Sequence, residues 1–364
     1  MIQQVKSFTV NLVAGANMAT VALMACAGFS DRINPADHPL LSCLGLAFPI
    51  FLVANLLFLF FWLTFKWSRA WIPIAGYALV YCPLSLYMPV NMRQDVPDGS
   101  IKLLSYNVCQ YGGNYKYEAG FDTVYGYIKR QQPDIVCIQE DADTWRRFVF
   151  QRYKKILPYN DTTLFINNKM MNGVGIHTRF PILRKERIAY PSEANGSVAY
   201  YLRLDNGDTL LVINNHLEGT HLSKEDRQNY KRMIGGHMER DTVKEESKVL
   251  IEKLAHSAAK RAPQAEAVHR YIEAHSQYPT IVCGDFNDSP ISYSRRTIAQ
   301  GLTDCFAATG RGISLSYNQK GFFVRIDHIF CSSHFEPYNC QIDNEMDASD
   351  HYPVVCWLKM RDNP

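Results

Sequence analysis

Residues 280–290 of this 364-residue chain read TIVCGDFNDSP, a short apolar run that ends in acidic and amide side chains. An apolar run followed by turn-forming residues predicts a buried β-strand that ends at Asp285. A carboxylate at the end of a buried strand costs desolvation free energy unless a cation, a donor or solvent meets it. Taken alone, Asp285 and Asn287 also fit an ordinary loop after a strand, so the rest of the chain must decide.

Five further predicted strands carry acidic, Asn or His residues at one end. Each of these, taken alone, is explained by a turn, a helix-terminal charge or a buried histidine with satisfied hydrogen bonds. Because six such strand ends occur in one stretch of chain, we expect them to converge on one site. The five are Asn107 in LLSYNVCQ, Glu140 in DIVCIQED, Asn215 and His216 in LLVINNHLEG, Asp327 in RIDHIFCS, and Asp350 and His351 in DASDHYPVVC.

Six short motifs contain these strand ends, and they follow one another along the chain in the order SYNV, PDIVCIQE, NNHLEG, GDFN, IDHIF and SDHYPV. In these motifs and in their order the chain resembles the endonuclease/exonuclease/phosphatase superfamily, which includes DNase I-like nucleases, neutral sphingomyelinases and inositol-polyphosphate phosphatases. The resemblance covers about residues 101–360. It implies an α/β (α+β) fold, a two-layer β-sandwich flanked by helices, and metal-dependent hydrolysis of a phosphoric ester.

The resemblance implies a metal site at Glu140, with Asn107 beside it and Asp350 as a further ligand. Carboxylate and amide oxygens without a thiolate suit Mg²⁺ or Mn²⁺ rather than zinc. Magnesium keeps several waters, so one or two protein ligands suffice. The metal would polarise a phosphoryl oxygen and offset the charge that develops there.

The other matched positions are implied to be catalytic. Asp285 would orient or deprotonate the attacking water. His351, paired with Asp327, would act either as a base or as a charge stabiliser. His216 would be a general acid or a phosphate contact near the leaving group. Two amides are predicted to contact the substrate, Asn215 and Asn287, and Asn287 also belongs to the catalytic set.

The first 90 residues hold only six of the 73 charged side chains. Three uncharged runs, residues 7–30, 39–65 and 70–92, each exceed the about 18–20 residues that a spanning helix needs. They predict a three-helix transmembrane anchor over residues 1–92. A signal peptide formed by the first run and a soluble bundle formed by all three are the alternatives. A retained helix is preferred because two more apolar runs follow the first.

The loop charges predict how the anchor is oriented. With the N-terminus inside, the inner segments carry Lys6, Lys66 and Arg69, in line with the positive-inside rule. Three spans then place the domain at 101–364, after a linker at 93–100, on the periplasmic or extracellular side. The ten cysteines point the other way, because several lie in apolar runs and have the character of unpaired core thiols, which are commoner in reducing compartments.

The charge balance bears on the substrate. From residue 101 onward there are 33 Lys/Arg and 31 Asp/Glu, so no broad basic surface for duplex nucleic acid is indicated. Together with a lipid bilayer as anchor, this favours a lipid-derived or small phosphoester as substrate. A metal-dependent endo/exonuclease is the alternative. A non-catalytic, membrane-anchored binding domain is an alternative of another class, which the filled catalytic positions disfavour.

One segment departs from the family pattern. Residues 220–262 form an insert with 10 Lys/Arg and 7 Asp/Glu, and the Gly235-Gly236 pair divides it into predicted helices at about 224–234 and 240–256. A separate helix at about 265–275 is predicted after Pro263. The insert is either a solvated helical hairpin or a lid over the mouth of the site, since it follows His216 closely.

Overall fold

Twelve strands among the described residues form two six-stranded sheets that pack face to face. The computed structural model describes residues 2–112, 117–141, 146–167, 171–192, 194–313, 315–319, 321–322 and 324–362. The predicted helix-flanked α/β sandwich is confirmed. The strands are β1 (Ile101–Asn107), β2 (Ile135–Asp141), β3 (Tyr159–Ile166), β4 (Met171–Thr178), β5 (Ile182–Ile188), β6 (Gly196–Arg203), β7 (Thr209–His216), β8 (Thr280–Asp285), β9 (Thr303–Asp304), β10 (Asp327–Cys331), β11 (Phe335–Ile342) and β12 (Val354–Met360).

The sheet orders determine which strand ends meet. One sheet runs β11-β12-β1-β2-β4-β3 and the other β5-β6-β7-β8-β10-β9. Strands β1 and β2 are parallel, as are β7 and β8, while β12 runs antiparallel to β1 and β10 antiparallel to β8. The C-terminal ends of four strands and the N-terminal ends of two therefore lie at one edge of the sandwich, as the convergence of the six strand ends requires.

The core between the sheets explains the apolar strand runs. Leu103, Ile176, Val212 and Ile281 are fully buried there. A buried polar pair also joins the sheets directly beneath the edge, because Gln139 Nε2 donates to Asn214 Oδ1 over 2.6 Å. The cysteines behave as expected: all ten are unpaired, and six are buried, namely Cys137, Cys283, Cys305, Cys331, Cys340 and Cys356.

Helices cover the outer faces of the sandwich. The predicted break at Pro263 was wrong, because a single 35-residue helix runs through that position. Proline cannot donate to the preceding turn, but Ala262, Ala265 and Val268 bury the same helix face on either side of it and so stabilise the helix across it. The helices of the sandwich domain are α6 (Tyr117–Gln131), α7 (Arg146–Tyr153), α8 (Lys224–Ile234), α9 (Arg240–Ala274), α10 (Tyr293–Ile298) and α11 (Cys305–Thr309). The N-terminal part contributes α1 (Ile2–Gly28), α2 (Pro39–Ser42), α3 (Phe48–Phe65), α4 (Trp71–Leu79) and α5 (Tyr81–Tyr87).

The N-terminal helices have the length and composition of membrane spans. Two helical stretches, Ser7–Arg32 and Pro39–Phe65, are long and apolar enough to cross a bilayer. The third predicted run is bent: Trp67–Leu79 and Tyr81–Tyr87 satisfy the same criterion only together and meet at an angle of 66°. Counting this pair as one span gives three.

A buried chain of hydrogen bonds joins these helices. The indole Nε1 of Trp62 donates to Asn17 Oδ1 over 3.0 Å, Asn17 Nδ2 donates to Asn55 Oδ1 over 3.1 Å, and Asn55 Nδ2 donates to the carbonyl oxygen of Pro73 over 3.0 Å. The three side chains are fully buried. The chain therefore connects α1, α3 and α4, in the way that polar side chains associate helices within apolar surroundings.

The N-terminal bundle packs directly on the sandwich. Ile291, in the loop after β8, lies in one apolar cluster with Met24 and Phe48. A side chain at Gly45 would place a Cβ 2.5 Å from the carbonyl oxygen of Ile291, so the close approach requires glycine. The Arg325 guanidinium also donates to the carbonyl oxygen of Leu86 at the end of α5. Residues 93–100, predicted to be a linker, are bonded to the domain as well, through Gln94 and Asp98.

The Arg325 contact belongs to a buried group of charges. Arg295 Nη2 donates to Asp304 Oδ2 over 2.5 Å, and Arg325 Nη1 lies 4.0 Å from Asp304 Oδ1. Burial raises the pKa of Asp304, but the two guanidinium groups outweigh it and lower that pKa to about 2. Asp304 also accepts a hydrogen bond from the backbone of Ala307 and so begins α11.

We predict that Asp304→Asn lowers the free energy of unfolding by about 3–5 kcal/mol, because it leaves two buried guanidinium groups without their counter-charge. Since the pKa is depressed in the fold, the stabilisation is present above the ordinary value of 3.8 and is lost as the pH falls towards 2. Denaturant unfolding of the full chain in detergent measures both effects. The control is Asp205→Asn, whose ion pair with Arg179 is exposed and is expected to contribute about 1 kcal/mol or less. Equal losses in the two variants would contradict the prediction.

Candidate active site

Seven predicted site residues meet at the shared edge of the two sheets. Asn107 and Glu140 come from the ends of β1 and β2, His216 and Asp285 from the ends of β7 and β8, and Asp327 from the start of β10. Asp350 and His351 arrive just before β12. The site therefore takes residues from both sheets and lies between them.

Asp285 is at the centre of this group. Its carboxylate is 1% exposed, and its Oδ2 accepts a hydrogen bond from Asn107 Nδ2 over 3.0 Å. The same Asn107 nitrogen donates to Glu140 Oε1 over 3.1 Å, so one amide bridges two carboxylates. Burial raises the pKa of Asp285 to about 6, although His351 partly offsets it. Asp285 is thus a carboxylate with unusual basicity for its type, as a general base needs.

The Asp327 carboxylate holds His351 from the side of the ring that faces away from Asp285. Its Nδ1 lies 2.9 Å from Asp327 Oδ2, and its Nε2 lies 3.7 Å from Asp285 Oδ2. Burial alone lowers the pKa of His351, but the charges of Asp327 and Asp285 outweigh burial and raise it well above its ordinary value. The imidazolium form is therefore favoured, with its Nε2 directed towards the centre of the site.

His216 has the opposite character. Its Nε2 lies 3.8 Å from both Glu140 Oε1 and Asp285 Oδ2, and its Nδ1 has no hydrogen-bond partner among the residues the structure describes. Burial lowers its pKa, which favours the neutral imidazole. Two buried histidines thus face the same carboxylate with different proton affinities, which is the arrangement that assigns acid and base roles.

The gaps around Asp285 have a chemical meaning. Separations of 3.7–3.8 Å from its carboxylate to the two imidazoles are too long for direct hydrogen bonds. Polar groups just beyond hydrogen-bond distance can share an oxygen that lies beside the line between them. A water or a phosphoryl oxygen placed there would contact an acceptor and two imidazole nitrogens together.

Glu140 is presented by a distorted piece of backbone. The pairing of β2 with β4 shifts between Gln139 and Asp141, and Glu140 at the bulge has φ +52°. A non-glycine residue in this left-handed region is strained, and such strain is commonly found at functional sites. The bulge turns the Glu140 side chain towards Asn107, where it is 29% exposed.

The backbone after Asn107 is strained in the same sense. Cys109, Gln110 and Tyr111 all have positive φ. The Tyr111 hydroxyl donates to Asp141 Oδ1 over 3.0 Å, and Thr162 donates to the other oxygen of that carboxylate. This buried clamp ties the turn after Asn107 to the bulge at Glu140, and so fixes the two strand ends relative to each other.

The donor set at the mouth of the site fits a divalent cation. Asn107 donates a hydrogen bond to only one oxygen of Glu140. Burial and the nearby Asp350 charge raise the Glu140 pKa. Asp285, Asp327 and His351 also place ligand atoms within 4.8 Å of one another. In that group the Nδ1 of His351 already bonds to Asp327. On the Glu140 side, Asn107, Glu140 and Asp350 offer hard oxygen donors of the kind that Mg²⁺ prefers.

The two predicted substrate amides lie in different places. Asn215 is fully buried: its Nδ2 donates to the Cys283 carbonyl oxygen over 2.9 Å and its Oδ1 accepts from Ser197 over 2.6 Å. The structure does not bring this side chain into the site. Asn287 is partly exposed beside Asp285, and its Nδ2 donates to the Leu217 carbonyl oxygen over 3.0 Å, which leaves one amide hydrogen for another acceptor.

Sequence reasoning missed two side chains that build the site. Ser349 donates from its hydroxyl to the Asn107 carbonyl oxygen over 2.7 Å and accepts from the backbone of His351 over 3.2 Å, so it connects the two sides of the site. Its position within SDHYPV was the available signal. Tyr317 packs edge-on against His351, with ring centroids 5.3 Å apart, and no motif marked it.

Comparison with known proteins agrees with this geometry. The model of the Endonuclease/Exonuclease/phosphatase family matches residues 104–351. A second model, Domain of unknown function (DUF8431), matches residues 10–87. No curated protein matches the chain by sequence.

Three solved structures illustrate the fold. The human Nocturnin catalytic domain with bound sulfate has a TM-score of 0.50 and 16% identity, over 75% of this chain and 97% of that chain. SmcL has a TM-score of 0.51 and 15% identity, over 72% and 100%. An endonuclease/exonuclease/phosphatase from Beutenbergia cavernae has a TM-score of 0.50 and 12% identity, over 72% of each. At these identities the likeness concerns the fold alone, whereas the family model covers more than half of the chain. The chain therefore belongs to the endonuclease/exonuclease/phosphatase family.

Proposed function

We propose that this chain is a membrane-anchored, Mg²⁺-dependent phosphoesterase that hydrolyses a lipid-derived or small phosphoester by in-line attack of water. The observation that carries the proposal is the convergence on Asp285. Two imidazoles of different proton affinity and one amide approach the same buried carboxylate within 3.0–3.8 Å. A purely structural ion cluster has no need for two histidines in different protonation states.

The roles of the side chains follow from their charges. Asp285 would accept a proton from water placed in the gap beside it, since burial has raised its pKa. His351, held as an imidazolium by Asp327, would donate to a phosphoryl oxygen and oppose the negative charge that develops there. His216 would contact the phosphate or the leaving-group oxygen from the other side.

The cation would be held by Glu140 and Asn107, with Asp350 completing the set. When bound, it would polarise a phosphoryl oxygen and offset the charge of the transition state. Magnesium is preferred because the donors are hard oxygens and because Cys109, which lies near Glu140 and Asp350, is kept protonated: burial and these carboxylates raise the pKa of its thiol.

The position of the anchor supports a substrate at a membrane. The loop that carries Asn287 continues to Ile291, which packs against the N-terminal bundle at Phe48. The site and the proposed bilayer anchor are therefore separated by a single short loop. A near-balanced charge beyond residue 100 gives no corresponding support for nucleic acid.

The same contacts bear on the side of the membrane. Asp31 lies 3.6 Å from Arg296, and Asn34 donates to Glu266 over 3.5 Å. The first loop of the bundle therefore accompanies the catalytic domain, which puts that domain across the membrane from the N-terminus if α1 spans. With Lys66 on the N-terminal side, the positive-inside rule then favours a non-cytoplasmic catalytic domain.

The activity is tested on the full chain reconstituted in vesicles. Phospholipid or sphingolipid headgroups, inositol phosphates, RNA and plasmid DNA are offered with and without Mg²⁺, and phosphoester hydrolysis is measured. We expect Mg²⁺-dependent cleavage of a lipid or small phosphoester, and a loss of about 10²–10⁴-fold in rate for Asp285→Asn and for His351→Ala, since each removes a proton-transfer or charge-stabilising group.

Asp122→Asn is the matched control for these variants, because that carboxylate is exposed on α6 and pairs only with Arg152 among the described residues. It should retain the wild-type rate. Cleavage of DNA with a steep salt dependence, in place of lipid, would identify a nuclease. Hydrolysis of no phosphoester, or full activity of both site variants, would overturn the proposal.

The metal site is tested separately by titrating Mn²⁺ and Mg²⁺ into the full chain in detergent. Glu140→Gln should weaken cation binding by more than the about 10–100-fold that loss of an outer-shell partner costs, because it removes a charged ligand. Glu345→Gln, at an exposed position, serves as the control and should bind the cation like wild type. Unchanged affinity in Glu140→Gln would place the cation elsewhere.

Topology is tested by protease accessibility in cells from which any outer membrane or wall has been removed and whose plasma membrane is intact. We expect a tag at the N-terminus to be protected while a cleavage site engineered into the exposed hairpin at Asn206 is cut, since α1 and the first loop separate the two. A disrupted-cell sample shows that both sites can be cut. Equal protection or equal cutting in intact cells would contradict three spans.

A further inference from the structure

The basic insert is attached to the catalytic pair by a row of aromatic side chains. Tyr230 on α8 packs on Phe322 with ring centroids 4.7 Å apart, Phe322 packs on Tyr317 at 5.7 Å, and Tyr317 packs on His351 at 5.3 Å. The loop that carries Tyr317 is also hydrogen-bonded to the backbone of the site, because the backbone N–H of Asn318 donates to the Asp350 carbonyl oxygen over 2.6 Å. Helix α8 is therefore joined to His351 through the rings of Phe322 and Tyr317.

The first turn of α8 is fixed independently. Ser223 begins the helix with a reciprocal pair of hydrogen bonds to Asp226, and Lys253 on α9 donates to both oxygens of Asp226 over 2.7 Å. The helix is thus held by a capping box and an ion pair in its first turn and by the Tyr230 contact one turn later. Together these contacts fix its rotation about its own axis. Arg227, the first of the three residues between Asp226 and Tyr230, is thus held on a determined face of the helix.

Arg227 lies three residues before Tyr230, so the two side chains share one face of α8. From that face Tyr230 begins the row of ring contacts that leads to His351. Burial raises the pKa of Tyr317, and the Arg227 charge partly offsets that rise, in agreement with a guanidinium near this row. Asp226, its acidic neighbour, is already paired with Lys253. Within the described part of the chain Arg227 has no ion-pair partner, although it is partly buried.

The charge of the site calls for such a group. Glu140, Asp285, Asp327 and Asp350 carry four formal negative charges, and a divalent cation with one imidazolium offsets three of them. An incoming phosphate is itself anionic and would be repelled by the remainder at short range. A guanidinium provides planar, paired N–H donors that match two phosphate oxygens.

We propose that Arg227, which lies on α8 of the insert, binds the non-bridging oxygens of the substrate phosphate at the mouth of the site. This rests on the proposed function, and it adds a binding residue that lies outside the six family motifs. It also assigns a role to the insert, whose helix α8 would supply a guanidinium contact to the phosphate in addition to the contacts of His216 and His351.

The experiment uses two probes that carry opposite charge. Inorganic phosphate in the presence of Mg²⁺, and Mn²⁺ alone, are titrated into the full chain in detergent, and KM and kcat are measured on whichever phosphoester is cleaved. For Arg227→Ala we expect phosphate affinity to fall about tenfold and KM to rise in parallel, while Mn²⁺ affinity stays equal or increases because a positive charge near Glu140 is gone. Arg227→Lys should restore part of the phosphate affinity, since it keeps the charge but not the fork.

The matched control is Arg232→Ala, which removes the same charge from an exposed position on the same helix. It should stay within about twofold of wild type for both probes, given the weak effect of exposed and screened charges. An equal loss of phosphate affinity in Arg232→Ala, or wild-type affinity in Arg227→Ala, would overturn the proposal. A fall in both phosphate and Mn²⁺ affinity with a lowered Tm would do so too, because it would indicate a structural role. If the wild-type chain cleaved no phosphoester, the proposed function would fail, and the two titrations would still decide the role of Arg227.

Discussion

The convergence of several carboxylates at one buried edge is the constraint on which the rest of this structure depends. Asp285 and Asp327 are each 1% exposed, and like charges at this depth repel strongly unless positive charge lies between them. His351 fills that position, bonded to one carboxylate and directed at the other. The bulge at Glu140 and the left-handed turn after Asn107 bring further donors to the same point. Backbone strain of this kind persists only where surrounding contacts hold it, and the buried Tyr111–Asp141 clamp supplies such contacts.

The N-terminal helices and the sandwich domain share an interface that includes the loop after β8. Ile291 packs into the bundle only four residues after Asn287, and Arg325 reaches from the buried charge group to the end of α5. Such an interface differs from a flexible tether, because it gives the site a defined position relative to the apolar helices. Under the proposed membrane anchoring, a domain docked in this way would stay in a narrow layer near the bilayer surface, which would favour amphiphilic substrates in that layer over large polymers in solution.

Much of the fold and most of the site could be predicted from local sequence. Polar residues at the ends of apolar runs predicted that Asn107, Glu140, His216, Asp285, Asp327 and His351 would meet, since strand ends at one sheet edge are neighbours in space. The continuous helix through Pro263 could not be predicted, because local proline chemistry opposes it and only packing against the sheet stabilises it. The sequence also did not show that Asn215 makes its hydrogen bonds inside the fold and not in the site. Side chains alternate along a strand, so His216 points into the site while Asn215 points the other way, towards Ser197.

The continuity of α9 has a consequence for the insert. Along this helix Lys253 holds α8 through Asp226, Arg261 bonds to Asp288 and to the Glu218 carbonyl oxygen, and Glu266 meets Asn34 of the bundle. At 1.5 Å per residue these points are separated by about 12 Å and about 8 Å along one axis. A hinged lid requires a break between its base and its tip. Helix α9 has none at Pro263, and across the break at Gly235-Gly236 the ion pair of Lys253 with Asp226 holds α8 on α9. The insert is therefore better understood as a fixed element, whose position is set by the same helix that contacts both the loop after β8 and the N-terminal bundle.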